Sequence, residues 1–262
     1  MERFLSTRSG LRSKSFDVVI AVGGLVGASV ALGLARNKLA APLSVALVDS
    51  SLPPAKEEVY DKPTLRTSTI SLKSREWIQG LGAWKDKDST AFRDMFVYDK
   101  TQGITFDAEQ DAPVVAPELV CLGYVVENVI LRNEMFNRLR DLRGRENSGA
   151  AITEIDAGIS EVDYTSNPKH ASLVLQDGRT LSAQLIVGAE GANSVARRES
   201  EIGYWSHDYR QRAVVANVKT KDRSFTAWQR FLGKSGPVAM LPIKVGVSPT
   251  SSGQPHQLKP RH

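Results

Sequence analysis

A strand, a glycine turn, a helix and a second strand follow one another within residues 17–49. Residues 17–22 read Asp-Val-Val-Ile-Ala-Val, an apolar run typical of a parallel strand that is buried on both faces. Two glycines break the run, and apolar residues then recur at helical spacing from Leu25 to Leu39. A second strand is predicted at Leu43–Val48. This βαβ unit commits the chain to an α/β fold built on a parallel sheet.

The glycine turn predicts a dinucleotide site, with one departure from the usual pattern. In the G-x-G-x-x-G register the three positions are Val22, Gly24 and Gly27, so a valine replaces the first glycine. That position makes the tight turn, and a β-branched residue there is expected to cost ~1–3 kcal/mol. We expect Gly23 to relieve part of this cost by adopting the unusual dihedral angles itself.

Asp49 strengthens the dinucleotide interpretation because it ends the second strand, about 20 residues after the last glycine. The helix N-terminus can bind a pyrophosphate, and a carboxylate at that place can accept hydrogen bonds from ribose hydroxyls. The alternative is a glycine-rich strand-to-helix turn in another kind of α/β protein.

Composition limits the function further. The 262 residues allow one large domain or two smaller ones, and 41% hydrophobic with 24% charged residues is ordinary for a globular protein. No apolar run reaches the ~20 residues of a membrane span. The single cysteine, Cys121, excludes an internal disulfide framework and fits a reducing compartment. The four histidines are scattered without ligand spacing, so no metal site is predicted.

The net charge of +5 does not indicate nucleic-acid binding, because basic residues are concentrated at both ends and do not interleave with aromatic ones. Residues 1–15 are rich in Arg and Ser with one acid, Glu2, which is typical of a mitochondrial transit peptide. A simple basic leader is the alternative. Residues 244–262 are rich in Ser, Pro, Gly and Gln without periodicity and are predicted to be disordered.

Between these ends the pattern predicts mixed strands and helices. We expect a helix that contains Trp77, Leu81 and Trp84, and a helix from Val129 to about Leu142. A hairpin is predicted from Met95–Asp99 and Ile104–Phe106, with Gly103 in its turn. Further strands are expected at Ile152–Ile159, Ser172–Leu175 and Leu185–Val187, with Asp177-Gly178 turning a hairpin.

Several segments together resemble the class A flavoprotein monooxygenases of the p-hydroxybenzoate hydroxylase fold, and within them the ubiquinone-biosynthesis hydroxylases. The Val-Glu-Asn and Ala-Trp-Gln-Arg-Phe pieces are the most specific. The segments that carry the resemblance are Asp17–Gly27, Arg66–Ser71, Gly82–Trp84, Gly123–Asn128, Gly188–Arg197, Gln211–Ala216, Ala227–Leu232 and Gly236–Pro242.

The resemblance implies an α/β fold in which an FAD-binding βαβ Rossmann-type domain is interleaved with an incomplete mixed or antiparallel β-sheet substrate domain. The predicted boundaries are a leader at 1–15, the FAD-binding domain at 16–200 with an inserted hairpin around 94–120, the start of the substrate domain at 201–243, and the tail at 244–262. The family continues beyond residue 243, so we expect a chain shortened at its C-terminus.

The resemblance also assigns cofactor-binding residues. Gly24 and Gly27 would face the FAD pyrophosphate, with Gly23 also in the cofactor-binding turn, and Asp49 would meet the adenosine ribose. Arg66 would approach the flavin, and Arg132 would reach the phosphates.

The second FAD segment departs from the family at one residue. Its usual sequence is Gly-Ala-Asp-Gly, and here Glu190 precedes Gly191, which moves the carboxylate by roughly 1.5 Å. We expect a weakened interaction with the cofactor at this point, and Arg197, with Arg198 as its rival, to anchor the loop. No catalytic acid, base or nucleophile is assigned, because the chemistry belongs mainly to the flavin.

The implied activity is FAD-dependent hydroxylation of a polyprenylated hydroxybenzoate-type ring in ubiquinone biosynthesis. The implied partners are this aromatic lipid, an electron donor (a ferredoxin-type protein or NADPH), a ubiquinone-biosynthesis complex and a membrane surface at the matrix side of the mitochondrial inner membrane. Two alternatives stay open: a catalytically inactive truncated isoform with a partial FAD site, and an NAD(P)-dependent Rossmann dehydrogenase.

Overall fold

The computed structural model describes residues 14–54, 63–111, 120–145, 148–167, 169–222, 224–233 and 236–243. Most of the predicted leader and the whole predicted tail lie outside these residues. Lys14 and Ser15, which the sequence placed in the leader, are the first two residues of a strand.

Thirteen strands are present in the described residues, and they form three sheets. The largest has six strands in the order β8-β2-β1-β11-β10-β9, the second is β13-β12-β5-β6, and the third is β3-β7-β4. The strands are β1 Lys14–Ala21, β2 Ser44–Asp49, β3 Thr67–Ile70, β4 Ser89–Phe92, β5 Asp94–Tyr98, β6 Gly103–Asp107, β7 Gly123–Glu127, β8 Ala151–Asp156, β9 Ile159–Asp163, β10 Ala171–Leu175, β11 Thr180–Gly188, β12 Thr226–Phe231 and β13 Pro237–Met240.

The six-stranded sheet is central because both of its faces are covered. Strand β1 pairs in parallel with β2 on one side and with β11 on the other. Val18 and Ile20 pack into one apolar layer, while Phe16 and Val19 alternate into the opposite layer. This two-sided burial is what the unbroken apolar run at residues 17–22 predicts.

Five α-helices accompany the sheets in the described part of the chain. Two of them, α1 and α4, pack side by side on the first apolar layer. None of the helices in the described residues is long and apolar enough to cross a membrane. The helices are α1 Leu25–Arg36, α2 Leu72–Gly80, α3 Ala108–Asp111, α4 Asn128–Leu142 and α5 Val195–Glu199.

Two of the three predicted helices end earlier than expected. Helix α1 ends at Arg36, three residues before the predicted end, because Asn37 is extended and its side chain accepts a hydrogen bond from Leu39 N in a separate 3₁₀ turn. Helix α2 ends at Gly80, so Leu81, its C-cap residue, and Trp84 lie outside it. Gly82 has φ 75°, and Ala83 N donates back to Ile78 O, which closes the helix with a left-handed turn.

The predicted strand Ile152–Ile159 is two strands at opposite edges of the large sheet. Strand β8 pairs with β2, whereas β9 pairs with β10, and the break falls at Ala157-Gly158. A Cβ at position 158 would lie 2.5 Å from the terminal amide of the Gln176 side chain, which would have to move aside. The chain leaves one edge and joins the other at this glycine.

The predicted hairpin is confirmed as β5 and β6, but Gly103 is the first residue of β6. The turn instead relies on Asp99, whose carboxylate accepts hydrogen bonds from Thr101 N and Gln102 N at 2.7 and 2.8 Å. Strand β12 pairs in parallel with β5, so the hairpin shares one sheet with residues 226–240. The predicted domain boundaries themselves stay a prediction.

Candidate functional site

The carboxyl ends of β1, β2 and β11 lie side by side at one end of the central sheet. Residue Ala21 of β1 lies opposite Val48 of β2 and opposite Gly188 of β11. The chain stays hydrogen-bonded just beyond the strands, since Val22 N donates to Val48 O at 2.8 Å and Ala189 N donates to Ala21 O at 3.0 Å. Ligands of open α/β sheets bind at the carboxyl ends of such strands, where connections leave in opposite directions.

The turn after β1 resolves how the chain accommodates valine in place of glycine. Val22 itself has φ 73°, in the left-handed region that β-branched residues rarely adopt. Gly23 is not among the residues with positive φ, so the expectation that Gly23 would take the unusual dihedral angles is wrong. In this chain the first position of the motif adopts the left-handed conformation even though a valine stands there.

The three predicted glycines have distinct surroundings. A Cβ at Gly27 would lie 1.9 Å from Val22 O, so only glycine lets the helix begin this close to the strand. A Cβ at Gly23 would lie 2.8 Å from Phe136 Cζ. At Gly24, by contrast, no atom of the described residues lies within 4 Å of the Cβ position, so this side of the turn is open.

The N-terminus of α1 faces the same opening. Gly24 is its N-cap residue and provides no side-chain cap, and the first turn contains no acid. The first intrahelical bond runs from Ala28 N to Gly24 O at 2.9 Å. The amides before Ala28 therefore have no intrahelical acceptor, and together with the helix dipole they favour an anion.

Asp49 and Arg132 form a half-buried ion pair beside this turn. The distance between Arg132 Nη2 and Asp49 Oδ2 is 2.9 Å, and the Asp49 side chain is only 8% exposed. Arg132 Nε also donates to Gly23 O at 2.6 Å and Nη2 to Ser51 O at 2.7 Å. One guanidinium from α4 thus ties the end of β2 to the glycine turn.

Two residues that contact the Asp49–Arg132 pair were not predicted from the sequence. The Arg132 guanidinium lies 5.3 Å from the centre of the Phe136 ring, one helical turn further along α4. The Arg-x-x-x-Phe spacing was a usable signal, because residues four apart share a helix face. Ser51 N donates to Asp49 Oδ1 at 2.8 Å. This contact could not be predicted from the sequence, because it depends on how the chain turns after β2.

The third strand end carries Glu190 and Gly191. Glu190 turns its carboxylate towards α5, whereas Gly191 has φ 79° and is open, with no described atom within 4 Å of its Cβ position. Arg197 donates to the carbonyl oxygens of Gly191 and Ala192, so the prediction that Arg197 anchors this loop is confirmed. Its rival Arg198 pairs with Glu199 instead.

Arg66 is exposed and lies just before β3. Its carbonyl oxygen accepts a hydrogen bond from Asn128 N at 3.0 Å, at the start of α4 and one turn before Arg132. The structure therefore brings the backbone of Arg66 close to the helix that carries Arg132. The predicted role of its side chain at the flavin stays a prediction.

Comparison with solved structures identifies the fold. The chain matches the structure of PqsL, a probable FAD-dependent monooxygenase from Pseudomonas aeruginosa, with a TM-score of 0.53 at 17% identity over 75% of this chain and 48% of that one. The fold is that of the FAD-dependent monooxygenases, as the sequence resemblance implied.

Sequence comparison narrows the relationship, although no protein-family model matches the chain. The mitochondrial ubiquinone biosynthesis monooxygenase COQ6 of Drosophila melanogaster is 30% identical over 241 residues, which cover 88% of this chain and 48% of the relative. The 3-demethoxyubiquinol 3-hydroxylase of Escherichia coli is 29% identical, with 87% and 54% covered. The chain is therefore a homologue of the ubiquinone-biosynthesis hydroxylases, and it spans about half the length of these curated relatives.

Proposed function

We propose that the three strand ends form an FAD site. The observation that carries this proposal is the open, uncapped N-terminus of α1 at Gly24, beside the ends of β2 and β11. Backbone amides at this helix start would hold the pyrophosphate. Gly23 and Gly27 keep the turn tight, and the open backbone at Gly191 would approach the cofactor from the neighbouring strand.

Asp49 and Arg132 have hydrogen-bonding capacity left for the same cofactor. Each Asp49 oxygen accepts one bond in the described residues and retains a lone pair, so the carboxylate can also accept from ribose hydroxyls. The described contacts of Arg132 use Nε and Nη2. Its Nη1 protons remain to donate to a phosphate oxygen, which is the role proposed for this arginine.

We infer that the bound FAD serves an aromatic-ring monooxygenase, and that the substrate is a polyprenylated hydroxybenzoate-type ring of ubiquinone biosynthesis. The names of the relatives support this activity. FAD supplies the redox chemistry that activates oxygen, while the residues of this chain bind and orient the cofactor. Electrons would come from a ferredoxin-type protein or NADPH.

The location follows from the same relationship and is part of the proposal. Several relatives are named as mitochondrial, and we place this chain in mitochondria at the matrix side of the inner membrane. A substrate with a long apolar chain requires contact with a membrane surface, and a complex with other ubiquinone-biosynthesis proteins would pass it along. A dehydrogenase that uses NAD(P) is disfavoured, because the structural match is to FAD-dependent monooxygenases.

A second candidate function is FAD binding without hydroxylation. Two observations favour it: the strained Val22 at the cofactor turn, and an exposed aromatic face on the four-stranded sheet. On that face the rings of Phe96 and Trp228 lie 4.7 Å apart between centroids, and Trp228 is 44% exposed.

A complementation experiment distinguishes the hydroxylase from the inactive FAD-binding form. The chain is expressed in an Escherichia coli strain that lacks 3-demethoxyubiquinol 3-hydroxylase, and ubiquinone content is measured. Restored ubiquinone supports the hydroxylase. Unchanged ubiquinone from a stably expressed chain that retains FAD would show that the chain does not hydroxylate a demethoxyubiquinol-type ring, which favours the inactive form.

A further inference from the structure

We propose that Glu190 is a positioning residue that caps α5 and holds the open backbone at Gly191, and that its carboxylate is not itself a ligand of the cofactor. The cofactor half of this inference rests on the proposed FAD site. The capping half stands on the geometry of the chain alone.

The carboxylate of Glu190 is bonded to the start of α5 through both oxygens. Oε1 accepts a hydrogen bond from Val195 N at 3.0 Å. Oε2 accepts one from Ala196 N at 3.1 Å and one from Ser194 Oγ at 2.6 Å. These are the amides that a helix of five residues leaves without intrahelical acceptors, and a carboxylate there also favours the helix dipole.

Ser194 and Arg197 complete a closed arrangement around the loop. Ser194 is 8% exposed, and its hydroxyl oxygen accepts a hydrogen bond from Arg197 N at 3.0 Å. The Arg197 guanidinium returns to the carbonyls of Gly191 and Ala192 and lies 4.4 Å from the centre of the Tyr204 ring. The loop is thus held from both ends, with Gly191 facing outwards.

Side-chain length explains why glutamate suits this position. An aspartate would withdraw both oxygens by roughly 1.5 Å, the length of one carbon–carbon bond. Hydrogen bonds of 3.0 and 3.1 Å to Val195 N and Ala196 N would then become too long to count as bonds without a backbone shift. In this chain the glutamate side chain is long enough to reach the start of α5. The contact with the cofactor would then be made by the backbone at Gly191, which Glu190 positions.

The test is amide hydrogen exchange on the full chain without FAD. In Glu190→Ala and Glu190→Asp we expect exchange at Val195 and Ala196 to accelerate about fivefold to tenfold, since the cap is lost. Ser194→Ala should accelerate exchange at Arg197. Glu199→Gln, which changes a carboxylate at the other end of α5, should leave these amides unchanged. Glu190→Gln keeps acceptor oxygen at one atom and is expected to fall between the parent and Glu190→Ala.

A titration with FAD separates positioning from direct binding. Positioning predicts that Glu190→Asp and the buried Ser194→Ala weaken FAD affinity together. If Glu190→Ala and Glu190→Asp leave exchange at Val195 and Ala196 unchanged, the inference is wrong. It is also wrong if Glu190 variants weaken FAD binding while Ser194→Ala does not. A parent chain that binds no FAD would contradict the proposed function, and the exchange data would still decide the cap.

Discussion

At the residue scale, the conformation of Val22 is in conflict with its side chain. A β-branched residue at φ 73° costs about 1–3 kcal/mol, and glycine pays no such cost there. We therefore expect Val22→Gly to raise the free energy of unfolding by about 1–2 kcal/mol, measured by denaturant titration. Val26→Gly is the matched control, because Val26 is exposed in right-handed helix and its replacement should destabilise the chain. A Val22→Gly chain no more stable than the parent would contradict this account of the turn.

Gly24 is the N-cap residue of α1 and Gly27 lies in its first turn, and their surroundings differ sharply, which makes alanine an informative probe at both. Gly27→Ala must move Val22 O, at 1.9 Å from the new Cβ, and should destabilise the chain by about 3 kcal/mol or more. Gly24→Ala enters open space and should change stability by less than about 1 kcal/mol. Thermal unfolding of both variants measures the difference. Equal losses would show that the close approach at Gly27 is not what holds the helix on the strand.

The Asp49–Arg132 pair predicts a strongly non-additive result. Arg132→Met leaves the buried Asp49 carboxylate without its cation and should cost about 2–4 kcal/mol. Adding Asp49→Asn removes the stranded charge and should recover at least 1 kcal/mol of that loss. Denaturant titration of the single and double variants closes the cycle. Strictly additive losses would mean that the pair does not hold the end of β2 to the glycine turn.

At the element scale, strand β7 carries a buried tyrosine whose ionisation is suppressed. Burial, followed by interactions with Cys121, raises the pKa of Tyr124 to about 12 from 10.0. Arg75 lies 5.2 Å from the centre of the Tyr124 ring and opposes the increase. The folded chain therefore holds this proton more tightly than the unfolded chain does. The associated stability is complete below about pH 10 and is lost as the pH rises towards 12.

Tyr124→Phe should reduce this loss of stability at alkaline pH, because phenylalanine has no proton to lose. Denaturant midpoints between pH 9 and pH 12 for the parent and the variant measure the effect. Tyr204→Phe is the control, since Tyr204 is 69% exposed and lies on a different part of the chain. A Tyr124→Phe profile with the same slope as the parent would contradict the assignment.

The elements that could be predicted from the sequence are those whose hydrophobic pattern or turn residues lie within the segment itself. Strand β1 and helix α1 follow from a continuous apolar run and a helical spacing, and the hairpin β5–β6 from two strands around a polar turn. Strands β8 and β9 could not be separated, since they pair with different strands and form the two opposite edges of a sheet assembled from distant segments. Local pattern carries no information about such partners.

The candidate site divides in the same way. Gly24, Gly27 and Asp49 were found because their spacing along the chain reflects a βαβ unit. The orientation of Glu190 was not predicted. Its carboxylate could face either the cofactor or the start of α5, and only the folded chain shows that it bonds to the start of α5. The left-handed conformation of Val22 was likewise not predicted. A sequence shows which residue departs from a motif, but not which residue changes its dihedral angles as a result.

At the scale of the whole molecule, the strand ends of the proposed FAD site are formed, while much of the chain after residue 200 is exposed. The side chains of β13 are exposed throughout, as are those of residues 201–222, which include Trp205 at 85%. The chain spans about half the length of its relatives. Cofactor binding is therefore the part of the proposed function that the residues of this chain carry most directly.

The measurement that tests this claim is the visible absorption spectrum of the purified chain after incubation with FAD and desalting. The parent should retain flavin, and Val22→Gly should retain at least as much. Gly24→Asp should retain little, because aspartate is a favourable N-cap that keeps α1 folded while it places a negative charge where the pyrophosphate would lie. A parent chain that elutes without flavin, or a Gly24→Asp chain that retains as much as the parent, would contradict the FAD site at the three strand ends.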